Sequence, residues 1–265
     1  MDSISDEGGG SSLLWKGILV VIVLGLFFAG YRLWYFDRLR VRPKDGYCPQ
    51  GTWPQQREGI VVPGHTVILI DTSDEITPAD AEAAFDRINA WARDPLKAPF
   101  LQKISIYGLP DSMAQIPKQS GRSWCVPKTG AMANVLYENP RVVALEFERF
   151  LGGVKSELDS LWQREQAAQS PIAETMAYLV QKHEDLNSFV LVSDMLQHST
   201  LATHYSGETA LTPAARSECE MVSGVGRLRS VWVYYVDREL EVQGHLWPTA
   251  WWAECLDGIQ AQTMN

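Results

Sequence analysis

Apolar residues are concentrated in one long run near the N-terminus and in several short runs further along the chain. The stretch from Gly17 to Tyr31 has no charged residue, and Lys16 and Arg32 lie at its two ends. Long basic side chains at such positions can reach the lipid headgroups. Residues 13–36 match the roughly 20 residues that cross about 30 Å of hydrocarbon. We therefore predict one transmembrane helix at residues 13–36, in contact with the lipid bilayer, after a tail at residues 1–12.

A cleaved signal peptide is the alternative interpretation of this run. Such a peptide has a basic segment before the apolar residues and a small-residue cleavage site after them. The tail here is acidic, and the run ends in aromatic and arginine residues. These features favour an anchor that stays in the chain.

Beyond residue 63, short apolar runs alternate with amphipathic segments. Residues 66–70 and 189–192 are apolar runs of the kind found in strands buried on both faces. The pattern also predicts strands at 104–107 and 231–236, and helices at about 77–94, 140–166, 170–182 and 247–259. We expect the pair Gly152-Gly153 to bend or break the second of these helices.

This alternation of strands and helices is typical of one α/β domain. It predicts a Rossmann-like, mostly parallel sheet with helices on both faces. We assign the domain to residues 64–265, after a juxtamembrane connector at residues 37–63. Two long loops are predicted to lie within it, at 108–139 and at 195–226, and the second of them has room for some helix.

Composition narrows the class of partner. Hydrophobic residues make up 46% and charged residues 21% of the chain, as in ordinary globular proteins. The formal net charge is -9, and phosphate binding needs a basic field, so nucleic acid is not expected as a partner.

Two signals bear on the side of the membrane, and they disagree. Five basic residues follow the apolar run and only Lys16 lies near its start, so the positive-inside rule places the globular domain in the cytoplasm. The cysteines number four, and an even count fits disulfides in an oxidising compartment, periplasmic or extracellular. We weight the charge rule over the cysteine count; the pairing is left open among Cys48, Cys125, Cys219 and Cys255.

Polar residues follow two of the predicted strands. Asp71 and Ser73 come after the first strand, Asp194 follows residues 189–192, and Ser170 begins a helix. In a parallel α/β sheet, sites lie at the carboxyl ends of the strands. Carboxylates and hydroxyls together form an all-oxygen site that suits Mg²⁺ or Mn²⁺. The structural alternatives to metal binding are turn formation by Ser73 and helix capping by Ser170.

These residues resemble the metal-ion-dependent adhesion site of von Willebrand factor A domains. Asp71 and Ser73 match the start of that family's D-x-S-x-S motif, Ser170-Pro171 resembles its T-P-L segment, and Asp194 matches its late Asp. The resemblance covers roughly residues 64–260. It implies a von Willebrand A-like fold and a metal that binds an acidic group of a protein partner. The segment at residues 71–77 also resembles a variant in uncharacterised bacterial proteins, so we expect a bacterial source.

The chain departs from the family pattern at three positions. Glu75 stands where the motif has its last serine, Ser170 replaces a threonine, and Met195 follows Asp194 where glycine is usual. Glu75 is a further candidate ligand, or alternatively a group that blocks the site.

Two further groups, a histidine pair and a tryptophan cluster, are interpreted as structural. His198 and His204 follow Asp194 closely, but their spacing fits no standard transition-metal motif, which favours surface or packing roles. Trp247, Trp251 and Trp252 recur at helical spacing and are expected to be core or docking aromatics.

Three functions follow from these residues. The first is a non-enzymatic binding or scaffold protein on a membrane anchor, with protein partners in a membrane complex. The second is a structural subunit of such a complex whose metal site is degenerate. The third is a phosphohydrolase with Asp71 as nucleophile, but Ser73 stands where the general acid belongs, and neither G-x-x-x-x-G-K-[ST] nor G-x-S-x-G is present. An incomplete constellation makes us expect no enzyme activity.

Overall fold

The computed structural model describes residues 10–39, 48, 63–73, 75–112, 115–136, 138–163, 166–206, 210–236 and 249–264. It divides into two compact units, Met1–Arg42 and Pro43–Asn265. Most of the predicted connector at 37–63 lies outside the described residues, so its boundaries stay a prediction.

The N-terminal unit contains one helix, α1 (Gly10–Leu39). Within it, Trp15–Arg32 is long and apolar enough to cross a membrane. At 1.5 Å per residue, 30 helical residues extend about 45 Å, more than the hydrocarbon thickness. Large apolar side chains such as Phe27 are exposed around it, which is what lipid contact requires. Among the described residues, the prediction of one N-terminal apolar helix long enough to cross a membrane is confirmed.

The second unit is built on a six-stranded sheet in the order β3-β2-β1-β4-β5-β6. β3 runs antiparallel to β2, and the other neighbours are parallel. The prediction of a mostly parallel α/β sheet is therefore confirmed. The strands are β1 (His65–Ile70), β2 (Lys103–Gly108), β3 (Gln119–Cys125), β4 (Leu186–Ser193), β5 (Ser230–Tyr235) and β6 (Gln260–Thr263).

Five helices cover the sheet: α2 (Pro78–Arg93), α3 (Pro140–Trp162), α4 (Ile172–Lys182), α5 (Pro213–Ser223) and α6 (Thr249–Cys255). The start of α2 follows the prediction, since Thr77 Oγ1 accepts the Asp80 N–H at 3.1 Å and Pro78 occupies the first turn. α5 lies inside the predicted loop at 195–226, and β3 lies inside the one at 108–139. α3 continues through Gly152 and Gly153 without a break.

The central strand β1 divides the core into two layers. Every residue of β1 is buried. Val67 and Leu69 face the layer formed by α4, α5 and α6, while Ile68 and Ile70 face the layer formed by α2 and α3. The residue that follows β1 is therefore placed in the middle of the sheet edge, where side chains from β4 can reach it.

Two disulfides join the four cysteines. Cys48 is bonded to Cys125 at the end of β3, and the Cys48 N–H donates to the Ser123 carbonyl at 3.0 Å. Cys219 of α5 is bonded to Cys255 of α6. The first disulfide fastens the connector to an edge strand, and the second fastens a short C-terminal helix to the sheet-covering layer.

Candidate metal centre

Asp71 lies directly after β1 and is almost fully buried. Its backbone N–H donates to the Val192 carbonyl of β4 at 2.9 Å, which continues the ladder by one residue. Its Oδ1 accepts two bonds from Ser73, from the N–H at 3.0 Å and from Oγ at 2.7 Å. Asp71 and Ser73 thus form a local turn, as the structural alternative for Ser73 predicts, and the hydroxyl also faces the carboxylate.

The second oxygen of Asp71 accepts hydroxyl hydrogen bonds from two other elements. Ser170 Oγ donates to Oδ2 at 2.9 Å, and Ser193 Oγ donates to it at 2.8 Å. The structure therefore brings together three predicted residues, Asp71, Ser73 and Ser170. Ser193 is absent from the predicted set, although a hydroxyl at the carboxyl end of the strand beside β1 was a visible signal.

The hydroxyl of Ser170 does not cap α4. The residue before that helix is Pro171, which makes no side-chain capping bond. Ser170 is held instead by two backbone bonds with His198, at 2.8 and 2.9 Å. This pairing directs the hydroxyl to Asp71, so the capping interpretation of Ser170 is wrong.

Asp194 follows β4 and is buried beside this group. Its Oδ1 accepts the Leu196 N–H at 2.9 Å. Burial and, to a smaller extent, the nearby charge of Asp71 together raise the pKa of Asp194 to about 7. Two neighbouring carboxyls that repel each other are stabilised when a cation lies between them.

The loop after Asp194 is fixed from both sides. Met195 has φ 59, in the left-handed region where glycine is usual. Ser193 Oγ accepts the Met195 N–H at 2.8 Å, and Trp252 Nε1 donates to the Met195 carbonyl at 2.8 Å. Hydrogen bonds to its backbone N–H and to its carbonyl thus hold Met195 in a conformation that glycine usually adopts.

A tyrosine missed by the sequence analysis lies at the rim of this group. Tyr205 is 41% exposed, and its ring meets the His198 ring edge-on with centroids 5.2 Å apart. Burial raises the pKa of Tyr205 to about 12, and the charges of Asp194 and Asp71 contribute to the shift. Its hydroxyl therefore lies within electrostatic reach of both carboxyls. Glu75, the further candidate, lies exposed in the loop before α2.

The remaining histidines of this region have packing roles, as predicted. His204 Nδ1 accepts the Gln197 N–H at 3.0 Å, and its ring lies 5.0 Å from that of buried Trp251. His198 Nδ1 lies 2.9 Å from Thr203 Oγ1. Trp251 and Trp252 belong to the core, while Trp247 lies outside the described residues.

A groove of about 580 Å³ opens beside the group, at the carboxyl ends of β1 and β2. Thr72 and Gly108 line it, together with one cation, Lys118, and one acid, Asp111. Together, the centre offers two carboxyls and three hydroxyls with a groove alongside. An all-oxygen donor set of this kind fits a hard divalent cation such as Mg²⁺ or Mn²⁺.

Comparison with known proteins gives matches among solved structures only. No protein-family model matches the chain, and no curated protein sequence matches it. BatB from Bacteroides thetaiotaomicron is 12% identical with a TM-score of 0.34, over 65% of this chain and 66% of that one. An aerotolerance-related membrane protein from Bacteroides fragilis is 10% identical with a TM-score of 0.34, over 69% and 75%.

Manganese-loaded TRAP protein from Plasmodium vivax is 11% identical with a TM-score of 0.35, over 69% of this chain and 60% of that one. The chain thus spans just under two thirds of BatB and less of TRAP. Similarity at this level carries no information on ligands or partners. The mostly parallel sheet covered by helices is the fold that the sequence resemblance implies, and Ser170 meets Asp71 at the carboxyl end of β1. The chain therefore carries a von Willebrand A-like α/β domain after one N-terminal apolar helix.

Proposed function

We propose that this protein is a membrane-tethered binding module, not an enzyme, that captures an acidic group of a protein partner through Mg²⁺ or Mn²⁺. The observation that carries the proposal is the convergence of three serine hydroxyls on Asp71, with buried Asp194 beside it. These groups come from three separate segments, and nothing in local turn formation requires them to meet.

The roles follow from the chemistry of each donor. Asp71 and Asp194 supply negative charge, and Ser73 and Ser170 supply neutral oxygen ligands. Ser193 orients Asp71 and the Met195 backbone. A bound cation would keep a coordination position for a partner carboxylate, because few protein ligands surround it.

The surface around the centre suits a protein partner. Tyr205 at the rim offers a large, partly exposed ring with a polar end, a residue type enriched in interfaces. The adjacent groove is lined by one cation, Lys118, and one acid, Asp111, so its charges do not select an acidic segment. A partner that places a carboxylate at the metal and packs beside Tyr205 fits the site.

We also propose that the globular unit lies on the oxidising side of the membrane, periplasmic or extracellular. Two disulfides are formed by all four cysteines, and such bonds persist in oxidising compartments. The charge rule favours the cytoplasm, but long domains translocate largely regardless of charge. We therefore give the disulfides more weight than the five basic residues near α1.

Metal binding is the first test, made on the full chain in detergent micelles with its disulfides intact. Titration calorimetry with Mg²⁺ and Mn²⁺ compares the parent, Asp71→Asn and Glu75→Gln. We expect saturable binding by the parent, loss of at least about tenfold in affinity for Asp71→Asn, since a ligand charge is removed, and little change for exposed Glu75→Gln.

The outcome decides between two functions. Absence of Mg²⁺ and Mn²⁺ binding by a folded parent would contradict metal-bridged capture and favour the structural-subunit alternative. If the metal binds, crosslinking in membranes with and without a chelator tests partner capture, and a partner retained equally in both conditions would contradict it.

A further inference from the structure

A second group of metal-ligating side chains lies at the opposite edge of the sheet, where β1 and β4 begin. It consists of His65, the first residue of β1, and of His183 and Asp185 in the turn between α4 and β4. One ligand atom from each of these residues lies within 4.8 Å of the others. Among the described residues this is the group of histidine and acidic side chains that could hold a metal ion.

The distance between the His65 and Asp185 donor atoms is close to that between two ligands of one metal ion. His65 Nδ1 lies 3.1 Å from Asp185 Oδ1. Two ligands of a tetrahedral Zn²⁺ with bonds of 2.0–2.1 Å lie about 3.3 Å apart. The His183 ring meets the His65 ring edge-on with centroids 4.8 Å apart. Small rotations of His183 and exposed Asp185 would complete a three-ligand arrangement.

Each donor has an outer partner that fixes its orientation. His65 Nε2 lies 2.9 Å from Ser105 Oγ, and His183 Nε2 lies 2.9 Å from the Tyr107 hydroxyl. Lys103 Nζ donates to Asp185 Oδ2 at 3.3 Å. In metal sites, a ligating imidazole usually donates its other ring N–H to such a partner, which directs the remaining nitrogen to the ion. Here both remaining nitrogens are Nδ1 atoms.

The same contacts argue against a catalytic triad. Ser105, His65 and Asp185 are hydrogen-bonded in the order of a nucleophile, a base and an acid, but Ser105 and His65 are both 0% exposed, so a substrate could not reach the hydroxyl. Burial lowers the pKa of His183 to about 4 and also lowers that of His65. Both rings are therefore neutral at neutral pH, which is the form that ligates metals.

We propose that His65, His183 and Asp185 form a site for Zn²⁺ or a similar transition-metal ion, separate from the oxygen-donor centre at Asp71. Two imidazoles and one carboxylate suit borderline metals, whereas Mg²⁺ prefers oxygen alone. The half-exposed side of the cluster leaves a position for water or another ligand. This inference does not depend on the proposed function of the other edge of the sheet.

Co²⁺ is the probe, because its visible absorption reports the geometry of its ligands. The metal-stripped full chain in micelles is titrated with Co²⁺ and then with Zn²⁺, in saturating Mg²⁺ so that the Asp71 centre does not compete. We expect one tightly bound Co²⁺ per chain, displaced by Zn²⁺. His183→Ala and Asp185→Asn should each lose this binding, and Tyr107→Phe should weaken it about tenfold through the lost outer hydrogen bond.

Two matched controls keep the result specific. His198→Ala removes a histidine that makes comparable contacts elsewhere, and Asp71→Asn disables the other centre; both should bind Co²⁺ as the parent does. Asp185 is exposed at the surface, so Asp185→Asn is expected to fold even if His183→Ala does not. Absence of saturable Co²⁺ binding by the parent, or undiminished binding by Asp185→Asn, would overturn the proposal and leave a purely structural hydrogen-bond network.

Discussion

At the scale of single residues, two adjacent glycines in α3 have different surroundings. A Cβ added at Gly153 would clash with the Trp124 indole ring, whereas nothing lies within 4 Å of a Cβ added at Gly152. Gly153 therefore allows β3 and α3 to approach closely, and Gly152 only lowers the helix propensity. The pair, expected from the sequence to bend or break the helix, serves packing at one of its two positions.

This difference predicts opposite effects of the same substitution. Gly153→Ala should lower the free energy of unfolding by about 1–3 kcal/mol through overpacking. Gly152→Ala should raise it by roughly 0.5–1 kcal/mol because alanine loses less conformational entropy in a helix. Urea denaturation midpoints of the two variants measure both effects, and a similar shift for both would show that Trp124 does not fill the space at Gly153.

A second residue-scale prediction concerns Glu157, on the inner side of α3. Burial raises its pKa in the folded state above the ordinary value of 4.5. The native chain therefore binds this proton more strongly than the unfolded chain does, and the group lowers stability as pH rises through its folded pKa. Glu157→Gln should accordingly stabilise the domain at pH 7, with a gain that shrinks as pH falls through the raised folded pKa and is lost below the ordinary value of 4.5.

Denaturation of this variant at several pH values, with exposed Glu146→Gln on the same helix as a control, measures the dependence. A stabilisation by Glu157→Gln that is equal at acid and neutral pH would contradict the assigned cause.

At the scale of elements, α6 is connected to the candidate metal centre by the hydrogen bond from Trp252 Nε1 to the Met195 carbonyl. Its Trp252 holds the Met195 carbonyl, and Met195 adjoins Asp194. The helix has seven residues and is fastened to α5 by the Cys219–Cys255 disulfide. A short element remote in sequence thus positions the loop that carries the late aspartate.

Trp252→Phe tests this coupling, because it keeps an aromatic ring and removes the donor. We expect Mg²⁺ affinity to fall by about three- to tenfold, the equivalent of one hydrogen bond worth roughly 0.5–1.5 kcal/mol. Trp251→Phe is the matched control, since that indole packs against His204. An equal loss in both variants would point to general packing of α6 instead of the bond to Met195.

The sequence predicted the strands and helices that have a strong apolar pattern. It missed the elements that bury few side chains. β1 and β4 contain apolar runs because both faces are covered. β1 was predicted to within one residue, whereas the predicted run 189–192 is only the middle of β4, which extends over Leu186–Ser193. β3 and β6 lie at the sheet edges with many polar residues, so they carry little apolar signal. α5 has only three buried residues, which left it within a predicted loop.

The residues of the candidate metal centre could likewise be predicted only where they adjoin a strongly predicted strand or match the family motif. Residues placed by the ends of strongly predicted strands, Asp71 and Asp194, could be located in advance, and the resemblance supplied Ser73 and Ser170. Tyr205 could not be predicted, because its place depends on the path of an irregular loop. The cluster at His65 and Asp185 depends on a register between strands that lie 120 residues apart in sequence, which no local pattern specifies.

At the scale of the whole molecule, the proposed orientation gives a labelling prediction. Leu96 is 94% exposed, so a cysteine there should be accessible from the side of the globular unit. Leu96→Cys in intact cells should react with a membrane-impermeant maleimide, while Ser3→Cys should react only after permeabilisation. The reverse pattern would place the domain in the cytoplasm, as the positive-inside rule predicts.

The Cys48–Cys125 disulfide also shortens the covalent connection between the apolar helix α1 and the α/β domain. With the bond formed, the free covalent path from Leu39 to the fold runs only to Cys48, at most about 30 Å when fully extended. Without it, the path would run to Gly64 and could exceed about 80 Å. The bond therefore removes residues 49–63 from the shortest covalent connection between α1 and β1, and its reduction would return those residues to the connection.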